Sequence, residues 1–181
     1  MSVASRMITT FSGRVMNPLD PSPEDFCLVD IAHALSMKCR YGGHCRFFYS
    51  VAQHSVLCAE VARRAGCDPR WALMHDAAES YLADIPRPVK VQLPGFEAIE
   101  LRLLQSIAEW LGLPDPDPLP GFVTLIDDQM IAAEWLVLMP DTVVRSFAEL
   151  PAASPVNDIV IVPWSLEEAK VKFISMFNQI F

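Results

Sequence analysis

The 181-residue sequence contains no C-x-x-C pair, no surplus of basic residues, and no apolar run of about 18 residues free of charge and proline. Each absence excludes a class. The five cysteines (27, 39, 45, 58 and 67) are odd in number and scattered, which argues against both a disulfide framework and a cysteine zinc site and predicts reduced thiols in the cytoplasm. The first residues lack a charged-then-apolar signal pattern, and with no spanning run a membrane protein is not expected. Lysine and arginine total 14 against 22 acidic residues, for a net charge of −8 and a pI near 4.9. General nucleic-acid binding needs a basic footprint and is therefore excluded, whereas a small anionic substrate held by a few local cations is compatible.

What is present is apolar. Hydrophobic residues make up 52% and charged residues 20% of the chain, richer in apolar side chains than an average soluble domain. This predicts surface covered by another copy, hence a homo-oligomer. The length suits one domain spanning residues 1–181, with residues 1–10 loosely held. No repeat or low-complexity segment occurs.

Periodicity predicts an all-α fold, an irregular bundle of about six helices. After a turn-rich stretch from Phe11 to Pro23, residues Leu28, Ile31, Ala32 and Leu35 mark a first helix and place His33 among apolar neighbours, as a satisfied core histidine. Arg40 to Tyr49 forms a loop at Gly42-Gly43 that carries two arginines. Ser50 to Arg64 is helical, with Val51, His54, Cys58 and Val61 on one stripe and Gly66 as a stop. Phe96 to Trp110 is amphipathic and stops at Gly112; Pro114 to Pro120 is a stiff connector; Phe122 to Met139 is helical again. Asp127 and Asp128 interrupt that last helix together, and one of them must lie near its apolar stripe. Asp141 to Pro163 reads as loops with an extended Ile159–Val162, and the Ser165-Leu-Glu-Glu168 capping box starts a final helix.

The stretch from Trp71 to Lys90 is the most informative. Asp68-Pro69 supplies an N-cap and first helical position, and Trp71, His75, Ala78 and Leu82 recur at helical spacing, so His75 and the adjacent Asp76 enter an apolar run facing inward. Glu79 follows one turn later. Buried carboxylates beside an imidazole call for a positive partner, and a metal ion is the natural one. The alternative is a core histidine hydrogen-bonded to its neighbour. Antiparallel packing of this helix on the preceding one would bring His54 to His75 and Asp76.

The order H…HD…D on helices resembles the HD-domain metal-dependent phosphohydrolases. Ser50-Val-Ala-Gln-His54-Ser and His75-Asp-Ala-Ala-Glu79-Ser-Tyr-Leu-Ala-Asp84-Ile-Pro-Arg-Pro-Val-Lys90 are similar to the corresponding blocks of bacterial HD-type 5'-deoxynucleotidases and their phage-borne relatives, over about Arg40 to Glu134. The resemblance implies one divalent transition metal ion (Co, Mn, Zn, Fe or Ni) ligated by His54, His75, Asp76 and Asp127. It implies that Glu79 serves the attacking water, that Asp84 assists, and that Arg40-Tyr41 lies over a nucleotide substrate. Tyr41 stands where those enzymes carry Trp, in a loop one residue shorter.

The implied chemistry is metal-assisted phosphoester hydrolysis, with Arg46 and Lys90 as candidate phosphate contacts. A deoxyribonucleoside 5'-monophosphate is the expected substrate. The alternatives are a deoxynucleoside triphosphate triphosphohydrolase releasing triphosphate, and a non-catalytic HD-like metal-binding module. Glu79 discriminates against the last, since a structural site has no use for an extra buried carboxylate.

Overall fold

The computed structural model describes residues 6–142, 156 and 159–181. Among these residues seven α-helices form the fold: α1 (Leu28–Met37), α2 (Val51–Arg64), α3 (Pro69–Met74), the four-residue α4 (Arg87–Lys90), α5 (Phe96–Leu111), α6 (Gly121–Leu138) and α7 (Leu166–Ile180). A two-stranded antiparallel hairpin, β1 (Ile8–Thr9) on β2 (Val15–Met16), is the one sheet among the described residues. The architecture is the expected all-α bundle. No described helix is long and apolar enough to cross a membrane.

Helix ends follow local chemistry. The Ser50 and Ser165 side chains accept from the amides of Gln53 and Glu168, and Asp68 accepts from the Arg70 amide, each satisfying a donor that a helix start leaves open. Gly112 ends α5 in the left-handed region at φ 63°, where its missing Cβ removes the steric cost.

Helix α2 is the axis of the molecule, packing against α1, α3, α6 and α7. Its residues Val51, Ala52, Val56 and Ala59 join Ile31, Leu35, Trp71, Leu73, Leu103, Ile107 and Phe173 in the main core. The other side of α2, through Leu57, Cys58 and Ala62, meets Ile126, Met130 and Leu138 of α6 in a second cluster. His54 lies on this axis and is fully buried.

Four expectations are corrected. The central helix is not continuous: α3 ends at Met74, Asp76 takes φ −96° and ψ 9°, and Ala77–Ser80 is a 3₁₀ turn. Ile8–Thr9 is paired rather than loose, because buried Asp30 accepts from the Thr10 hydroxyl and from the Ser12 amide and hydroxyl beside the hairpin. His33 is half-buried and stacks on Phe11 at 3.7 Å instead of sitting in the core. Ile159–Val162 forms no strand; the Gln53 side chain binds this segment by donating to Val162 O and accepting from the Trp164 amide. The rest of the predicted 141–163 loop region, residues 143–155, 157 and 158, lies outside the described residues.

Candidate metal centre and cleft

The break after α3 shapes the site. In a 3₁₀ turn, side chains three residues apart eclipse, so Asp76 and Glu79 come to one side; the Glu79 amide donates to Asp76 O at 3.0 Å. Lys38 at the end of α1 anchors the turn by donating to Ser80 O. His75 closes α3 and donates from Nδ1 to Ala72 O at 2.9 Å, which leaves its Nε2 buried and without a hydrogen-bond partner.

His54 Nε2, from α2, faces the same point. It lies 3.2 Å from Asp127 Oδ1 on α6, 3.9 Å from Asp76 Oδ2 and 3.4 Å from Cys58 Sγ. The two imidazole rings are 5.4 Å apart, and Asp76 Oδ2 is 3.4 Å from His75 Nε2. Among the described residues, donor atoms of His54, Cys58 and His75 all lie within 4.8 Å of one another and could hold a metal ion. The four residues expected as ligands, His54, His75, Asp76 and Asp127, are thus brought together, and Cys58 joins them one turn along α2. A lone pair on His75 Nε2 with no partner, carboxylates on two sides and a sulfur nearby fit a divalent transition ion.

Above this cluster opens a cleft of about 820 Å³. His75, Asp76, Glu79, Asp84 and Asp127 line its polar end, with Arg40, Tyr41 and Lys90. Leu104, Leu119, Val123, Ile131, Trp135 and Met139 supply apolar wall from α5, α6 and the segments beside them. Glu79 Oε2 and Asp84 Oδ2 are buried and hydrogen-bonded to nothing. Burial, with Asp76 and Asp84 nearby, pushes the Glu79 carboxyl well above the usual carboxylate range, and burial raises Asp84 as well.

The cations of the cleft are all engaged. Arg40, buried, reaches Asp76 Oδ2 at 3.4 Å and Glu134 Oε2 at 3.2 Å. Lys90 donates to both oxygens of Glu100, at 2.7 and 2.9 Å. Arg87 spans Asp127 and Asp128 at 3.2 and 3.3 Å, with Asp127 turned inward to His54 and Asp128 toward the rim. Arg46 does not belong here: it lies outside the cleft lining and pairs with Asp141. Its backbone amide is held by Leu138 O, which directs this part of the loop toward the end of α6.

Glu134 and Tyr49 belong to this centre although no sequence motif marks them. Glu134 is fully buried, and its carboxylate meets His54, Arg40, Tyr41 and Tyr49. The burial of this charge would raise its pKa, but Arg40 and His54 bring it down to about 2. The available signal was its position two turns after Asp127 on the same helix face, inside an apolar run. Tyr49 had no comparable signal.

The fold and this cluster define an all-α protein in which buried His54, Cys58 and His75 could hold a metal ion. The chain is 36% identical over 174 residues to "Uncharacterized protein YfdR" of Escherichia coli, covering 96% of this chain and 94% of that protein, and it belongs to the same family. It is also 40% identical over 117 residues, 60% of each chain, to "Uncharacterized protein RCAP_rcc00048" of Rhodobacter capsulatus. No protein-family model matches.

Proposed function

We propose that the protein is a metal-dependent phosphohydrolase acting on nucleotides, specifically a 5'-deoxynucleotidase that releases inorganic phosphate from deoxyribonucleoside 5'-monophosphates. The observation that carries this reading is the pairing of two kinds of carboxylate at one end of the cleft. Asp76 and Asp127 turn toward His54, while Glu79 and Asp84 each keep a buried oxygen without a partner. A divalent transition ion held by His54, His75, Asp76 and Asp127 would supply Lewis-acid polarisation of water and of a phosphoryl oxygen.

The chain's own groups do the rest. Glu79, ionised beside the bound cation, would accept a proton from the attacking water on its unpartnered oxygen as the new oxygen–phosphorus bond forms. Asp84, whose carboxyl burial holds in the protonated form, gives a proton to the nucleoside 5'-oxygen as the ester bond breaks. Arg40 and Tyr41 border the nucleotide, and the apolar wall with Trp135 and Met139 takes the base and deoxyribose.

Charge favours the monophosphate. The lining carries Arg40, Arg87 and Lys90 against Asp76, Glu79, Asp84, Glu100, Asp127 and Asp128, and every one of those cations already has a carboxylate partner. A triphosphate adds about two negative charges to be met by cations that are committed elsewhere. Exposed Leu125, Leu136 and Val137 on α6 are the apolar surface that a homo-oligomer would cover.

Incubating metal-loaded protein with deoxynucleoside mono- and triphosphates and separating the products by chromatography tests the reading. Inorganic phosphate and nucleoside from the monophosphates are expected. Tripolyphosphate from a triphosphate, with monophosphates intact, would replace this activity with a triphosphohydrolase. No turnover of any nucleotide by metal-loaded protein would favour a non-catalytic metal module.

A further inference from the structure

We infer that Glu134 is the positioning residue of this centre, one buried carboxylate that sets the ring of His54 and the Arg40-Tyr41 turn together. It does not line the cleft, so its effect passes through the groups it holds. Oε1 accepts from the Tyr49 hydroxyl at 2.9 Å and from His54 Nδ1 at 2.6 Å. Oε2 accepts from Arg40 Nε at 3.2 Å and from the Tyr41 hydroxyl. A carboxylate offers about four lone-pair sites, and here all are used.

Two consequences follow from acceptor chemistry. An ionised carboxylate can only accept, so the shared proton sits on His54 Nδ1. That leaves Nε2, the nitrogen facing Asp127, Asp76 and Cys58, as the one directed at a metal ion. The second concerns the turn. Tyr41 has φ 59° and ψ 26°, and among the described residues it is the one non-glycine side chain with positive φ. Such a backbone persists only where surrounding contacts fix it, and the hydrogen bond from its hydroxyl to Glu134 is such a contact. The carboxylate thereby links the ligand on α2 to the turn that lines the cleft, through α6.

The role toward nucleotide rests on the nucleotidase reading; the role toward metal does not. Three measurements separate them. In the zinc-loaded, unaltered protein, imidazole nitrogen NMR should place the His54 proton on Nδ1, slow to exchange. A proton on Nε2 would overturn the proposal whether or not any variant folds. Glu134→Gln keeps the shape but must point an N–H₂ at two donors, so cobalt(II) titrated without nucleotide should bind about 10–100-fold more weakly at unchanged helicity. Wild-type cobalt affinity in that variant would also overturn it. Tyr41→Phe removes one of the two donors to Oε2 and leaves Oε1 untouched, so it should leave cobalt affinity unchanged while raising KM for the monophosphate; weakened cobalt binding there would overturn the separation of the two halves.

Discussion

His54 Nε2 and Asp127 Oδ1 lie 3.2 Å apart, although one projects from the middle of α2 and the other from α6. Asp127 is held there by more than proximity: His54 and His75 lower its pKa against the upward push of burial, while Arg87 pairs with its second oxygen from the cleft side. These two helices supply His54 and Asp127, the end of α3 and the turn after it supply His75 and Asp76, and each part can be removed singly.

Replacing His54 with alanine deletes an imidazole that contacts Glu134, Asp127 and Asp76. It removes one of the four donors to buried Glu134, so about 1–3 kcal/mol of stability is expected to go with the metal. Asp76→Ala loses metal with a smaller stability cost, since Arg40 keeps Glu134 as its partner. Elemental analysis and urea melts read both effects; full metal occupancy in both variants would remove these residues from the ligand set.

Glu79→Gln should keep the fold and the metal and lower turnover by about a hundredfold or more, the scale of a lost acid-base group. Because the native carboxyl is raised by burial and by its acidic neighbours, neutralising it should leave the melting temperature unchanged or higher. Near-normal turnover excludes Glu79 from proton transfer, and loss of metal makes it a ligand.

Cys58 Sγ stands 3.4 Å from His54 Nε2 within the group able to hold an ion. Cobalt-substituted protein is expected to absorb alike with and without Cys58→Ser, since the proposed ligands are imidazole and carboxylate; thiolate-to-cobalt charge transfer lost in the variant would add Cys58 to them.

Arg46 pairs with Asp141 on the surface, away from the cleft. Arg46→Ala should therefore leave KM for the nucleotide unchanged and cost at most about 1 kcal/mol of stability. A raised KM would return this arginine to the phosphate site.

Asp68 caps α3, the helix that delivers His75, and accepts from both the backbone and the guanidinium of Arg70. Asp68→Ala should destabilise the fold by about 1 kcal/mol. The hydrogen bond from Arg70 lowers the Asp68 pKa in the folded chain, so its contribution is full above the unfolded value and disappears as pH falls through the folded one. Urea midpoints of the two proteins should converge on acidification; a constant difference would mean the cap acts without its charge.

The helices and their ends were legible in the sequence because they depend on near neighbours. Ser50, Asp68, Ser165 and Gly112 stop or start helices through groups within a few residues of themselves, and apolar spacing along Val51–Arg64 and Phe96–Leu111 marks the faces that pack. The meeting of His54 with His75 and Asp76 was legible for the same reason, since a short connection makes α2 and α3 antiparallel neighbours. The tertiary structure alone decided what depends on distant partners. The strong helical spacing of Trp71, His75, Ala78 and Leu82 gives no sign that the chain tightens after Met74, because the turn holding Asp76 beside Glu79 is anchored from α1 by Lys38. Arg40 and Arg46 share one loop and one chemistry; pairing with Asp76 and Glu134 puts the first in the cleft, and Asp141 holds the second outside it. Glu134 shows the limit most clearly. A carboxylate in an apolar stretch of helix is costly by every local criterion, and only the convergence of Arg40, Tyr41, Tyr49 and His54 from other segments makes its burial favourable.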